Sequence, residues 1–170
     1  MLVLITYVSA KGSTAEIAQR INTVLESKGI STELLPVEQI SDLSKYSAAI
    51  VGSAVHSFQW LPQAQSFLHD NSSALSKIPV WAFSVGCPST TPIIFKKVTV
   101  QDEERKLEEE VKRDVKVRGH VLFEGRFLKE HFGFVTRILW GCFGGTFGDF
   151  RNWNRVEEWA NEVADELRPV

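Results

Sequence analysis

Six consecutive residues, Ser9, Ala10, Lys11, Gly12, Ser13 and Thr14, bring three hydroxyls, one ammonium group and a glycine together directly after an apolar run. Such a set suits a phosphate group. The hydroxyls of Ser9, Ser13 and Thr14 can donate to phosphate oxygens, Gly12 lets the backbone approach closely, and Lys11 can add a compensating charge. If the turn also opens a helix, unpaired N–H groups and the helix dipole favour an anion at the same place. An ordinary capped strand-to-helix turn would explain Gly12 and Ser13 taken alone, but it does not call for the remaining hydroxyls. Other phosphate loops fit badly. Neither GxxxxGK followed by Ser or Thr nor GxGxxG occurs, which argues against a triphosphate loop and a dinucleotide fingerprint. Cys87 and Cys142 lack the CxxxxxR arrangement of a phosphatase, and no acidic cluster ends the first apolar run.

The elements that must position this loop follow from periodicity. Residues 2–8 are almost unbrokenly apolar or β-branched, as in a central parallel strand covered on both faces. Over residues 13–28, Ile17, Ala18, Ile21, Val24 and Leu25 recur at helical spacing, and Gly29 ends the helix. Further strands are expected at 32–37, 48–53, 79–85 and 120–125, with a helix over 62–75. A charged helix over 101–114 has a thin apolar edge at Leu107 and Val111, and its charges from Asp102 to Glu110 read as a solvated face. The last helix starts near Asn152 or Asn154, either of which could cap it, and buries Val156, Trp159, Ala160, Val163 and Leu167. Five strands alternating with helices imply an α/β fold with a doubly wound parallel sheet, whose ligands bind beyond the carboxyl ends of the strands.

Composition narrows the function classes. The chain has 170 residues, 44% of them apolar, the size of one domain with a substantial core. A net charge of -2 gives no field that favours nucleic acid or an anionic membrane. The two cysteines have neither CxxC nor metal-ligand spacing, so a reducing, cytoplasmic compartment is expected.

The 9–14 loop resembles the flavodoxin signature Thr/Ser-x-Thr/Ser-Gly-x-Thr, departing at Lys11. Residues 51–56 (VGSAVH), 84–86 (SVG) and 148–153 (GDFRNW) extend the resemblance to a subgroup of flavodoxin-domain proteins that includes quinone-dependent protoporphyrinogen oxidases. The resemblance implies a five-stranded sheet in the order 2-1-3-4-5 and FMN as cofactor. Residues 9–14 would hold its phosphate, and two later loops would meet its isoalloxazine ring. One ring loop offers Ala54, Val55, His56, Ser57, Phe58 and Trp60, where apolar and aromatic groups could stack on the ring and exclude water. Trp60 could equally be a core residue, and His56 either a proton donor or a bystander. The other offers Ser84, Val85, Gly86 and Cys87, where backbone groups beside Gly86 could meet the ring's polar edge; Cys87 reads as packing rather than redox chemistry.

Electron-carrier flavodoxins are acidic and carry a glycine beside the ring, whose peptide can flip as the flavin is half reduced. This chain is nearly neutral, and residues 54–60 contain no glycine. Both departures favour two-electron chemistry on a small molecule. A one-electron carrier, a quinone-dependent protoporphyrinogen oxidase and a cofactor-free interaction domain are the competing expectations. A small molecule or a protein would be the redox partner. An apolar insertion at about 127–147, including Phe127, Leu128, Phe132, Val135 and Leu139, needs covering, by the sheet, a dimer mate, a lipid-like substrate or a peripheral membrane contact. Basic residues such as Lys96, Lys97, Arg126 and Lys129 read by default as solvated.

Overall fold

The computed structural model describes residues 1–86, 100–131, 133 and 146–168. The first unit is β1 (Leu2–Val8), α1 (Ser13–Ser27) and β2 (Ser31–Pro36). Gly29 ends α1 at φ 78°, its N–H bonding Glu26 O at 2.9 Å while Ile30 N–H bonds Leu25 O at 3.1 Å. These paired bonds take up carbonyls that the helix end would otherwise leave open. The chain continues through β3 (Ala48–His56), β4 (Gln59–Trp60), α2 (Pro62–Asp70), α3 (Ser72–Leu75) and β5 (Val80–Gly86). After α4 (Val100–Lys112) come β6 (Gly119–Glu124), β7 (Arg126–Phe127), β8 (Gly148–Asp149) and α5 (Trp153–Leu167).

Five strands run parallel in the order β2-β1-β3-β5-β6. This is the expected permutation once the short β4, antiparallel to β3, is counted in chain order. Two differences from the sequence reading are local. Residues 62–75 form two helices because the chain breaks at Asn71, whose side-chain amide donates to Phe67 O at 2.9 Å. Residues 57–60 form a tight hairpin, where periodicity gives no strand.

Alternation along the strands divides the core in two. Trp81, Phe83 and Val85 pack with Val3, Ile5 and Ile50 beneath α1 and α5. Val80 and Ala82 pack with Leu4, Val51 and Leu122 beneath α2 and α4. Phe83, Phe123 and Trp159 meet with ring centroids 5.8 to 6.2 Å apart. Gly52 makes room for this cluster, since a Cβ there would lie 2.1 Å from the Phe83 ring.

The charged helix departs from the expected solvated face. Leu107 and Val111 are buried as the sequence indicates, but so are Glu103 and Glu110. Glu104 also takes the Leu122 N–H at 2.8 Å. Charge density alone conceals these inward positions, which share the helical face of the apolar pair. Of the 127–147 insertion, the structure describes its two ends. β7 pairs with β8, Phe127 stacks on Phe147 at 5.4 Å, and residues 129–131 make a 3-10 turn. Phe132, Val135 and Leu139 lie outside the described residues, as do Lys96 and Lys97. Among the described residues no helix is long and apolar enough to cross a membrane.

Candidate functional site

β1 ends at Val8, and residues 9–12 turn the chain into α1. Gly12 is the N-cap at φ 86°, a left-handed conformation that is strained for residues bearing a Cβ. It has no side chain to offer, so α1 starts without a side-chain cap. At α5, by contrast, the Asn152 side chain accepts the Arg155 N–H at 3.1 Å. An open helix start of the α1 kind is suited to an anion.

The hydroxyls around it are placed unequally. Ser9 Oγ accepts the Gly12 N–H at 3.1 Å and shapes the turn, while Ala10 and Lys11 are exposed. Ser13 and Thr14 are buried, and Ser13 Oγ accepts the Arg126 backbone N–H at 3.1 Å, which leaves its own O–H free to donate elsewhere. Gly125 allows this close passage: a Cβ there would lie 3.0 Å from both Ser13 Oγ and Val85 Cγ1.

Two arginines converge on the first turn of α1. The guanidinium groups of Arg126 and Arg151 each bond one carboxylate oxygen of Glu16. Arg151 also binds Asp149 through Nε at 2.8 Å and Nη2 at 2.5 Å, and it lies 4.6 Å from the Trp153 ring centroid. Its hydrogen bonds hold the Asp149 carboxyl below the ordinary carboxylate range. Sequence reasoning left Arg126 as a solvated residue. The available signal was its place directly after Gly125, at the carboxyl end of the fifth parallel strand.

The two expected ring loops are adjacent, with Ala54 of β3 paired to Val85 of β5. Beyond that pair β3 turns back into β4 through Ser57 and Phe58, with His56 opposite Gln59. Ser57 has φ 52° and Phe58 φ 63°, the sign that a two-residue type I′ turn demands and that Gly or Asn usually supplies. The glycine-free loop therefore adopts positive φ at two residues that bear a Cβ, a conformation that L side chains rarely take. Strain held in this way is found where surrounding structure imposes it, often at ligand sites. Phe58 remains 46% exposed, and His56 and Ser57 are exposed beside it.

Trp60, by contrast, is a core residue, 2% exposed. Its indole N–H donates to Ser84 Oγ at 2.7 Å, and Ser84 Oγ lies 2.8 Å from His120 Nε2. Trp60 N–H reaches Glu110 Oε2 at 3.3 Å, and Gln65 holds the other oxygen of that carboxylate. Burial pushes the His120 imidazole down to about 4, so it is neutral at physiological pH. The Ser84 hydroxyl and Trp60 ring are thus engaged beneath the sheet end, and the Gly86 carbonyl accepts the Gly125 N–H at 2.7 Å. The space over Gly86 is filled by Val55, Leu122 and Glu103, whose Oε1 would lie 3.5 Å from a Cβ on Gly86. Burial raises the Glu103 carboxyl above its ordinary value. Cys87 lies outside the described residues.

The flavodoxin domain family model matches residues 4–141. The chain belongs to that family. Flavodoxin-family proteins bind flavin and transfer electrons to redox partners. No curated protein sequence matches the chain significantly. Among solved structures, an archaeal flavodoxin is 16% identical with a TM-score of 0.59, the match covering 98% of each chain. Flavodoxin 1 of Bacillus cereus is 13% identical with a TM-score of 0.62, covering 99% of this chain and 100% of its own. Rubredoxin oxygen:oxidoreductase of Desulfovibrio gigas is 16% identical with a TM-score of 0.58, covering 98% of this chain but 36% of that one. At such identities the likeness establishes the fold.

Proposed function

We propose that this flavodoxin-domain protein binds FMN, with the phosphate at residues 9–14 and the ring at the 54–60 hairpin and the 84–87 loop. It would pass electrons between a reductant and a small-molecule acceptor. The observation that carries this reading is the uncapped start of α1, set at the same sheet end as the exposed Phe58 on its left-handed turn. A hydroxyl-ringed helix start suits a phosphate, and an aromatic-tipped hairpin suits one face of a planar ring. Bound FMN would supply the electron-carrying chemistry. The chain's own part is to hold the phosphate at Ser9, Gly12 and Lys11 and to exclude water from the ring with Val55 and Phe58.

Two observations favour a small-molecule acceptor over a docking carrier. The net charge of -2 provides little steering toward a basic protein partner. The hairpin also resists rearrangement. Flipping the Ser57–Phe58 peptide would place Ser57 at the first central position of a type II′ turn, where glycine is required for want of a Cβ clash. Oxidation of a porphyrinogen with quinone as acceptor is the sharpest version, supported by the resemblance at residues 51–56, 84–86 and 148–153. A reducing, cytoplasmic setting fits the cysteine pattern. Stepwise reduction of the FMN-loaded protein should pass from the oxidised to the fully reduced spectrum in one transition. Accumulation of a long-lived half-reduced spectrum would contradict it, and stopped-flow mixing with quinones, porphyrinogen and reduced ferredoxin would separate the acceptors.

A further inference from the structure

We infer that Arg126 is a specificity-determining residue of the phosphate loop, a mobile cation that makes the site select a flavin bearing a phosphate monoester over the same flavin without one. The inference rests on the FMN reading of the loop. It starts from the unequal holding of two arginines that share one carboxylate. The Arg151 side chain is 7% exposed, stacked on Trp153, and bonded to both Asp149 and Glu16. Arg126 is 26% exposed, with Glu16 as its side-chain ion partner, and among the described residues its buried Nε has no hydrogen-bond partner. One guanidinium is fixed and the other can be redirected.

Position makes that difference useful. A Cβ built on Gly12 would lie 3.7 Å from Arg126 Nη2 and 3.9 Å from Glu16 Oε1, so both charges border the turn at the start of α1. A phosphate monoester brings close to two negative charges at neutral pH. Beside a bare Glu16 carboxylate that charge would be repelled. Arg151 keeps its bond to one Glu16 oxygen and so lessens that repulsion, while Arg126 can transfer N–H donors from Glu16 to the phosphate oxygens in charge-assisted hydrogen bonds. The Arg126 backbone N–H that bonds Ser13 Oγ is independent of its side chain, so the turn keeps its frame when the guanidinium moves or is replaced.

The test compares Arg126→Gln and Arg126→Lys with the wild-type protein by fluorescence titration with FMN and with riboflavin at several salt concentrations. Inorganic phosphate is the second probe, read as a rise in the melting temperature of flavin-free protein. Arg126→Gln should weaken FMN by about tenfold, the scale of one charge-assisted hydrogen bond, leave riboflavin within about twofold, and flatten the salt dependence. It should also lose the phosphate-induced rise in melting temperature, and Arg126→Lys should restore part of both effects. An unchanged ratio of FMN to riboflavin affinity in Arg126→Gln, with the phosphate response intact, overturns the inference and leaves the FMN reading standing. If wild-type protein takes up no FMN but phosphate stabilises it through Arg126, the FMN reading fails and the anion role of Arg126 stands. Unaltered far-ultraviolet circular dichroism confirms that each variant is folded.

Discussion

At the carboxyl end of β1, polar groups sit in and around an open helix start. Among the described residues, Ser9 and Arg126 are held by few side-chain bonds, Lys11 is exposed, and Glu16 divides its carboxylate between two arginines. At the carboxyl ends of β3 and β5 the polar groups turn inward. Trp60, Ser84, His120 and Glu110 are linked beneath a hairpin whose only exposed large apolar side chain is Phe58. The first region can trade its internal contacts for those of an incoming anion. The second spends its polar groups on fixing a shape, so that a flat ligand would meet a rigid platform rather than a set of free donors. Site residues chosen by type alone therefore divide into those at an open helix start and those whose polar groups are spent on holding the hairpin and sheet end in shape.

Three interventions probe that contrast, and the largest effect is expected from the platform. Trp60→Ala removes a buried indole and its bond to Ser84, and should cost about 3–5 kcal/mol in denaturant unfolding. A loss below about 1 kcal/mol would mean that Trp60 is not the buried, hydrogen-bonded core residue described. Acid is next. The His120 value is depressed, so its contribution is intact above the unfolded value near 6.5 and is lost as pH falls toward about 4. Over that window the unfolded chain takes up a proton that the folded one refuses, a loss of about 3 kcal/mol. His120→Asn should unfold with a shallower dependence on pH than the wild type, and equal slopes would refute the assignment. The smallest effect is at the turn, where Ser57→Gly should stabilise the protein by about 0.5–1 kcal/mol by removing the strain of φ 52°. A destabilised variant would show that the turn is not strained by its side chain.

Much of the fold is legible in the sequence because each buried strand is a continuous apolar run and each helix carries its own spacing. The α1 stop at Gly29 and the α5 cap at Asn152 are local signals that the structure uses directly. The hairpin at residues 57–60 is different. Ser and Phe are poor markers for a type I′ turn, so its conformation depends on tertiary structure rather than on local preference. The inward Glu103 and Glu110 were obscured for another reason: a carboxylate beside Leu107 and Val111 looks solvated until a neighbouring element supplies donors such as the Trp60 N–H. In the candidate site, the 9–14 loop is contiguous and could be read, whereas Arg126 reaches Ser13 from 113 residues away.

FMN titration of the purified, flavin-free protein, followed by quenching of flavin fluorescence, tests the central claim most directly. Saturable quenching at one FMN per chain, weakened when Phe58 is replaced by Ala and when Gly12 is replaced by a bulkier residue, is the predicted result. Unquenched fluorescence throughout the titration, with the protein folded, would contradict the FMN assignment and leave the chain a flavodoxin-fold interaction domain.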